Sequence, residues 1–104
     1  MKIYKWLVLS MSLIAFNVSA DQFETGKKKA KVCMTCHGAE GIASIPTYPN
    51  LQGQHSEYLI NALKAYKEKR RTGGLAMLMQ AQAEALTEQD MKDIASYFSN
   101  IKSE

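Results

Sequence analysis

Cys33-Met34-Thr35-Cys36-His37 contains both cysteines of the 104-residue chain and one of its two histidines. C-x-x-C-H is the spacing of covalent haem attachment. Two thiols this close can add as thioethers across the two vinyl groups of one porphyrin, and the adjoining imidazole can bind the iron as an axial ligand. Two other chemistries use closely spaced cysteines. A thioredoxin-like redox disulfide starts a helix after a buried strand, but the preceding segment, Phe23 to Val32, lacks strand-like alternation and includes Lys27, Lys28, Lys29 and Lys31. A structural zinc site needs four ligands, and His55 is the only other histidine. Of the three readings, these residues favour haem.

Residues 1–20 read as an export signal. Lys2 and Lys5 supply the positive start, Trp6 to Phe16 is apolar except for Ser10 and Ser12, and Val18-Ser19-Ala20 offers a small-residue cleavage site after Ala20. The apolar run falls well short of the roughly 20 residues that span a bilayer. The expectation is a cleaved leader and one exported, periplasmic domain over residues 21–104, with no membrane span. Of thirteen Lys and Arg, Lys2 and Lys5 leave with the leader; eleven then face ten Asp and Glu, a net charge of about +1. That balance does not imply a nucleic-acid partner. A domain this small buries only about 60% of its unfolded surface and often needs a cofactor to complete its core.

The rest of the chain reads as helices and loops. Phe23, Gly26, Ala30 and Cys33 share one helical face. Gly38 to Gly53 forms a long loop with Gly41, Pro46 and Pro49; a loop of that length in so small a domain usually wraps something. Leu59, Ala62, Leu63 and Tyr66 mark a second helix over about Ser56–Lys69, ended by Thr72-Gly73-Gly74, and a short helix is expected near Leu75–Ala83. Thr87 and Asp90 form a capping-box pattern ahead of Met91, Ile94, Ala95, Phe98 and Ile101. That last stripe reads as core packing, Met91 included.

Taken in order, several segments resemble class I bacterial cytochromes c, most closely the small c-four and c-five type. They are Cys33-Met34-Thr35-Cys36-His37-Gly38, Gly41, Pro46, Pro49-Asn50-Leu51, Gly53-Gln54, Tyr58-Leu59 and Leu86-Thr87-Glu88-Gln89-Asp90-Met91, followed by Ile94-Ala95 and Tyr97-Phe98. The resemblance covers nearly all of residues 23–101. It implies an all-α fold of three to five helices around one covalently bound haem c with its iron. Cys33 and Cys36 would form the thioethers, and His37 would be an axial ligand. The terminal helices would cross at Gly26 with Tyr97 as its aromatic partner. Pro46 matches the proline whose carbonyl accepts a hydrogen bond from the axial histidine.

The family's second axial ligand is a methionine seven residues before the leading leucine of the final helix; counting from Leu86 gives Met79. Met77 is the runner-up, and His55 reads as a surface residue. Tyr48, Gln54 and Arg71 are expected by position around the haem. Relatives commonly carry a glycine near the end of the second helix. Here Tyr66-Lys67-Glu68-Lys69-Arg70-Arg71 has none, so that helix is expected to run on.

The function so implied is a non-enzymatic carrier of single electrons between a donor and an acceptor redox protein, docking transiently at the haem edge. The alternatives are a cytochrome subunit of a larger dehydrogenase or oxidase, and a gas-binding or sensor module with an open sixth site. Two basic clusters could steer an acidic partner: Lys27, Lys28, Lys29 and Lys31, and Lys64, Lys67, Lys69, Arg70 and Arg71. Each also reads as an ordinary solvated helix face.

Overall fold

The computed structural model describes residues 18–103. Among them are five helices and no strand: α1 (Val18–Lys29), α2 (Lys31–His37), α3 (Ser56–Lys67), α4 (Ala76–Glu84) and α5 (Glu88–Asn100). This is the all-α architecture the sequence implied. The expected leader lies outside the described residues except for its last three, which begin α1.

The last helix begins where the capping pattern placed it. Thr87 Oγ1 accepts from the Asp90 backbone N–H at 3.0 Å, and Asp90 Oδ2 accepts from the Thr87 N–H at 2.9 Å. Two donors that the helix leaves unpaired are thereby satisfied. Met91, Ile94, Ala95, Tyr97 and Phe98 are all buried, so the apolar stripe of α5 is the spine of the core.

Helix α1 crosses α5 at Gly26. A Cβ placed on Gly26 would sit 1.9 Å from the Asp93 carbonyl oxygen and 3.1 Å from Tyr97 Cβ. Only glycine permits that approach. Beside the crossing, the Phe23 and Tyr97 rings meet with centroids 5.1 Å apart, a favourable tilted contact. At Ala30, which is fully buried, the chain turns from α1 into α2.

An ion cluster seals the same crossing. Lys29 Nζ lies 2.6 Å from Asp93 Oδ2 and 2.8 Å from Asp90 Oδ1. Asp93 also accepts from Gln89 at 2.8 Å and from Gln22 at 3.3 Å. Burial alone would push the Asp93 carboxyl up, but the hydrogen bonds from Lys29, Gln89 and Gln22 outweigh it and hold the group below the usual range. Asp90 is lowered to about 2, chiefly by Lys29 and then by its cap bonds to Thr87.

The second helix stops at Lys67, short of the expected Lys69. Its end is a Schellman turn: Arg70 N–H donates to Ala65 O at 2.8 Å and Lys69 N–H to Tyr66 O at 3.0 Å, with Lys69 at φ 57°. Lysine thus occupies the left-handed position that glycine takes most easily, and a missing glycine does not lengthen the helix. Beyond this turn α4 packs against α3 alone among the described helices.

Two measurements test this crossing. Gly26→Ala should lower stability by at least about 2 kcal/mol, because the added methyl forces two backbones apart; denaturant unfolding reads it. Lys29 holds both carboxyls low, so its contribution should be complete above the unfolded carboxyl pKa of about 4 and fade as pH falls towards 2. Lys29→Met should cost roughly 2 kcal/mol at pH 7 by leaving Asp93 buried without its cation. It should also lose less stability than the parent between pH 4 and 2, as measured by thermal melts.

Candidate haem-binding site

A cavity of about 680 Å³ lies between α2, α3, α4 and α5, within the range that encloses most of a small organic ligand. Helix α2 places Cys33 and Cys36 one turn apart, so both thiols line this cavity. Burial pushes the Cys33 thiol above its ordinary range, and the charge of Cys36 adds to the shift. Among the described residues no group of three or more His, Cys, Asp and Glu is placed to hold a metal ion.

His37 closes α2 and is only 5% exposed. Its Nδ1 lies 2.8 Å from the Pro49 carbonyl oxygen. A carbonyl only accepts, so Nδ1 carries the proton and Nε2 is the nitrogen left for a metal. Sequence reasoning gave this hydrogen bond to Pro46, and that assignment is corrected to Pro49. Tyr48 N–H donates to Ile45 O at 3.0 Å, which makes Pro46 the second residue of a turn and leaves it exposed. The chain comes back to the imidazole three residues later.

The loop is folded to make that return. Gly38 leaves α2 at φ 86°, where an added Cβ would meet Ile42 O at 2.0 Å. Leu51 and Gln52 N–H groups both donate to Gly41 O, at 2.7 and 3.0 Å. The Ala43 N–H donates to Asn50 Oδ1 at 2.8 Å, and Tyr97 Oη donates to Ala39 O at 2.6 Å. The loop is therefore anchored both to itself and to α5.

Met79 lines the cavity; Met77 does not, and is 74% exposed. Helical geometry accounts for the difference, since residues two apart project to different sides. Helices α2 and α4 make no packing contact with each other, so His37 and Met79 reach one cavity from separate elements. Met91 is buried in the core, and His55 is exposed at the start of α3.

Tyr48, Gln54 and Arg71 all belong to the cavity wall. The Tyr48 ring centroid is 6.3 Å from that of His37, and the Arg71 guanidinium lies 4.5 Å from the Tyr66 ring centroid. Tyr66, Gln82, Ile94 and Phe98 also line the cavity, although nothing in the sequence singled them out for it. The first two could have been found only by knowing how α3 and α4 face each other. Ile94 and Phe98 do belong to the stripe on α5, which serves core and cavity together.

The basic clusters are less free than the sequence suggested. Lys29 is held by Asp90 and Asp93, Lys64 by Glu88 at 2.9 Å, Lys67 by the Leu86 carbonyl and Arg70 by Glu68 at 2.6 Å. Lys27, Lys28 and Lys31 are exposed on α1 and α2.

One imidazole, one thioether and two thiols around one mainly apolar cavity fit haem c. Among the described residues no helix is long and apolar enough to cross a membrane. Residues 23–102 match the Cytochrome c family. The chain is 44% identical over 75 residues to cytochrome c-554(548) of Halomonas halodenitrificans, covering 72% of this chain and 90% of that protein. It is 35% identical over 96 residues to cytochrome c4 of Pseudomonas aeruginosa, covering 92% of this chain but 46% of the relative. A thiosulfate dehydrogenase electron acceptor of Stutzerimonas stutzeri is 32% identical over 69 residues, covering 66% of this chain and 32% of that protein. The solved cytochrome c4 of Acidithiobacillus ferrooxidans superposes with a TM-score of 0.67 at 31% identity, covering 75% of this chain and 48% of that one. The chain thus spans about half the length of its c4 relatives. It belongs to the Cytochrome c family, as a c-type cytochrome of electron transfer with covalently bound haem c.

Proposed function

We propose that this chain is a periplasmic mono-haem carrier that passes single electrons between redox proteins, with His37 and Met79 as axial ligands. The observation that carries this reading is the meeting of His37 and Met79 in the cavity that also receives Cys33 and Cys36. One C-x-x-C-H supplies attachment for one haem. When bound, haem c supplies a reversible one-electron Fe(III)/Fe(II) couple.

The chain's own residues set the terms of that couple. Pro49 O fixes the imidazole's tautomer and orientation and raises the donor strength of Nε2. A thioether is soft and neutral and favours ferrous iron, so a Met/His pair gives a more positive potential than anionic ligands. With His37 and Met79 both holding the iron, oxygen or peroxide would find no free position, which favours a carrier over an enzyme or gas sensor. Leu59, Leu63, Ile94 and Phe98 keep the cavity apolar and limit water around the iron. Arg71, Tyr48 and Gln54 are among the polar groups of the cavity wall available to the propionates.

Electron exchange is placed at the cavity edge beside Val32, which is 59% exposed and next to Cys33. Such contacts are small and transient. The likeness to a thiosulfate dehydrogenase electron acceptor supports a dehydrogenase as one class of donor. The leader read from residues 1–20 supports exchange outside the cytoplasm.

Met79→Ala should abolish the low-spin Met/His absorption spectrum while Met77→Ala leaves it intact; the reverse pattern would overturn the ligand assignment. The ferrous parent protein should not take up carbon monoxide readily at neutral pH. Ready uptake would replace the closed carrier with an open-site module.

A further inference from the structure

Helix α4 carries Met79 yet buries little of its own surface. It packs against α3 alone among the described helices, and Ala83 is its only buried residue. The turn leading into it runs through Gly73 and Gly74 at φ 89° and 52°, and a Cβ on either would meet nothing within 4 Å. Apolar packing therefore does little to fix where α4 begins.

Polar contacts do so instead. Gln80 Nε2 donates to the Arg71 carbonyl oxygen at 2.9 Å, closing the segment between α3 and α4 on itself. The Arg71 guanidinium lies over the Tyr66 ring, on α3. Tyr66, Arg71 and Gln80 thus form a strut from α3 to the residue following Met79. At the far end of α4, Lys67 Nζ donates to Leu86 O and ties the helix exit to α3 as well. Gln80 itself is not in the cavity wall, so it acts without touching the cofactor.

We infer that Gln80 is a positioning residue: its bond to the Arg71 carbonyl holds α4 so that Met79 stays in the cavity and the sixth position stays closed. This rests on the reading of Met79 as the axial ligand. The strut acts on the balance between a closed form and one in which the helix start has swung away from the cavity. A net hydrogen bond shifts such a balance by roughly three- to ten-fold.

The test uses ferrous holoprotein and the rate of carbon monoxide binding, which reads how often the sixth position opens. Gln80→Leu and Gln80→Glu both remove the donor, the second with almost no change of shape. Each should bind carbon monoxide about three- to ten-fold faster than the parent. Gln89→Leu is the matched control, because it removes a 2.8 Å glutamine bond to Asp93 away from α4. It should lower thermal stability and leave the carbon monoxide rate unchanged. Unchanged rates in both Gln80 variants, or an equal rise in Gln89→Leu, would overturn the positioning role. Met79→Ala separates the two levels: it should bind carbon monoxide fastest of all. If it binds no faster than the parent, Met79 is not the ligand, and the strut's role falls with it.

Discussion

The contact of Gly26 with the Asp93 carbonyl is the constraint on which the other placements depend. It lets α1 lie against α5 closely enough for Phe23 to reach Tyr97 and for Lys29 to reach Asp90 and Asp93. Tyr97 then holds Ala39 through its hydroxyl, just past the end of α2, and Phe98 O accepts from Gly53 N–H at 2.9 Å. Both ends of the long loop are thus tied to α5. The loop between those ties delivers Pro49 to His37. The crossing of two helices at one glycine accordingly sets the orientation of an imidazole some distance from it.

The two sides of the cavity are built by different physics. On the His37 side, close backbone approach, buried aromatic rings and a bonded loop leave little freedom. On the Met79 side, a short helix rests on α3 and is joined by exposed polar contacts, which contribute only modestly each. A covalent cofactor reconciles the two. Thioether bonds from Cys33 and Cys36 would keep the group in place whatever α4 does, so the methionine side would need only to close over it.

Much of this was legible in the sequence because it rests on local rules. The capping box at Thr87 and Asp90, the stripe on α5 and the C-x-x-C-H spacing on α2 each follow from neighbours within a turn or two. The choice of Met79 over Met77 came from counting back from Leu86; in the fold Met79 lines the cavity and Met77 is exposed. What failed was non-local or depended on one backbone angle. Pro46 and Pro49 differ by three residues in a loop whose path is decided by Gly41 and Asn50. The end of α3 turned on whether a lysine would adopt φ 57°, which propensity argues against and the Schellman bonds impose. Nor could charge counting show that several lysines in the two clusters hold the helices together.

The most direct test of the closed His37/Met79 site is the proton NMR spectrum of the ferrous holoprotein with its methionine methyls assigned. A methyl bound over the face of a porphyrin feels the ring current and moves far upfield of all others. A single three-proton signal of that kind, belonging to Met79, is the expected result. Its absence, or its assignment to Met77, would contradict a carrier closed by this pair.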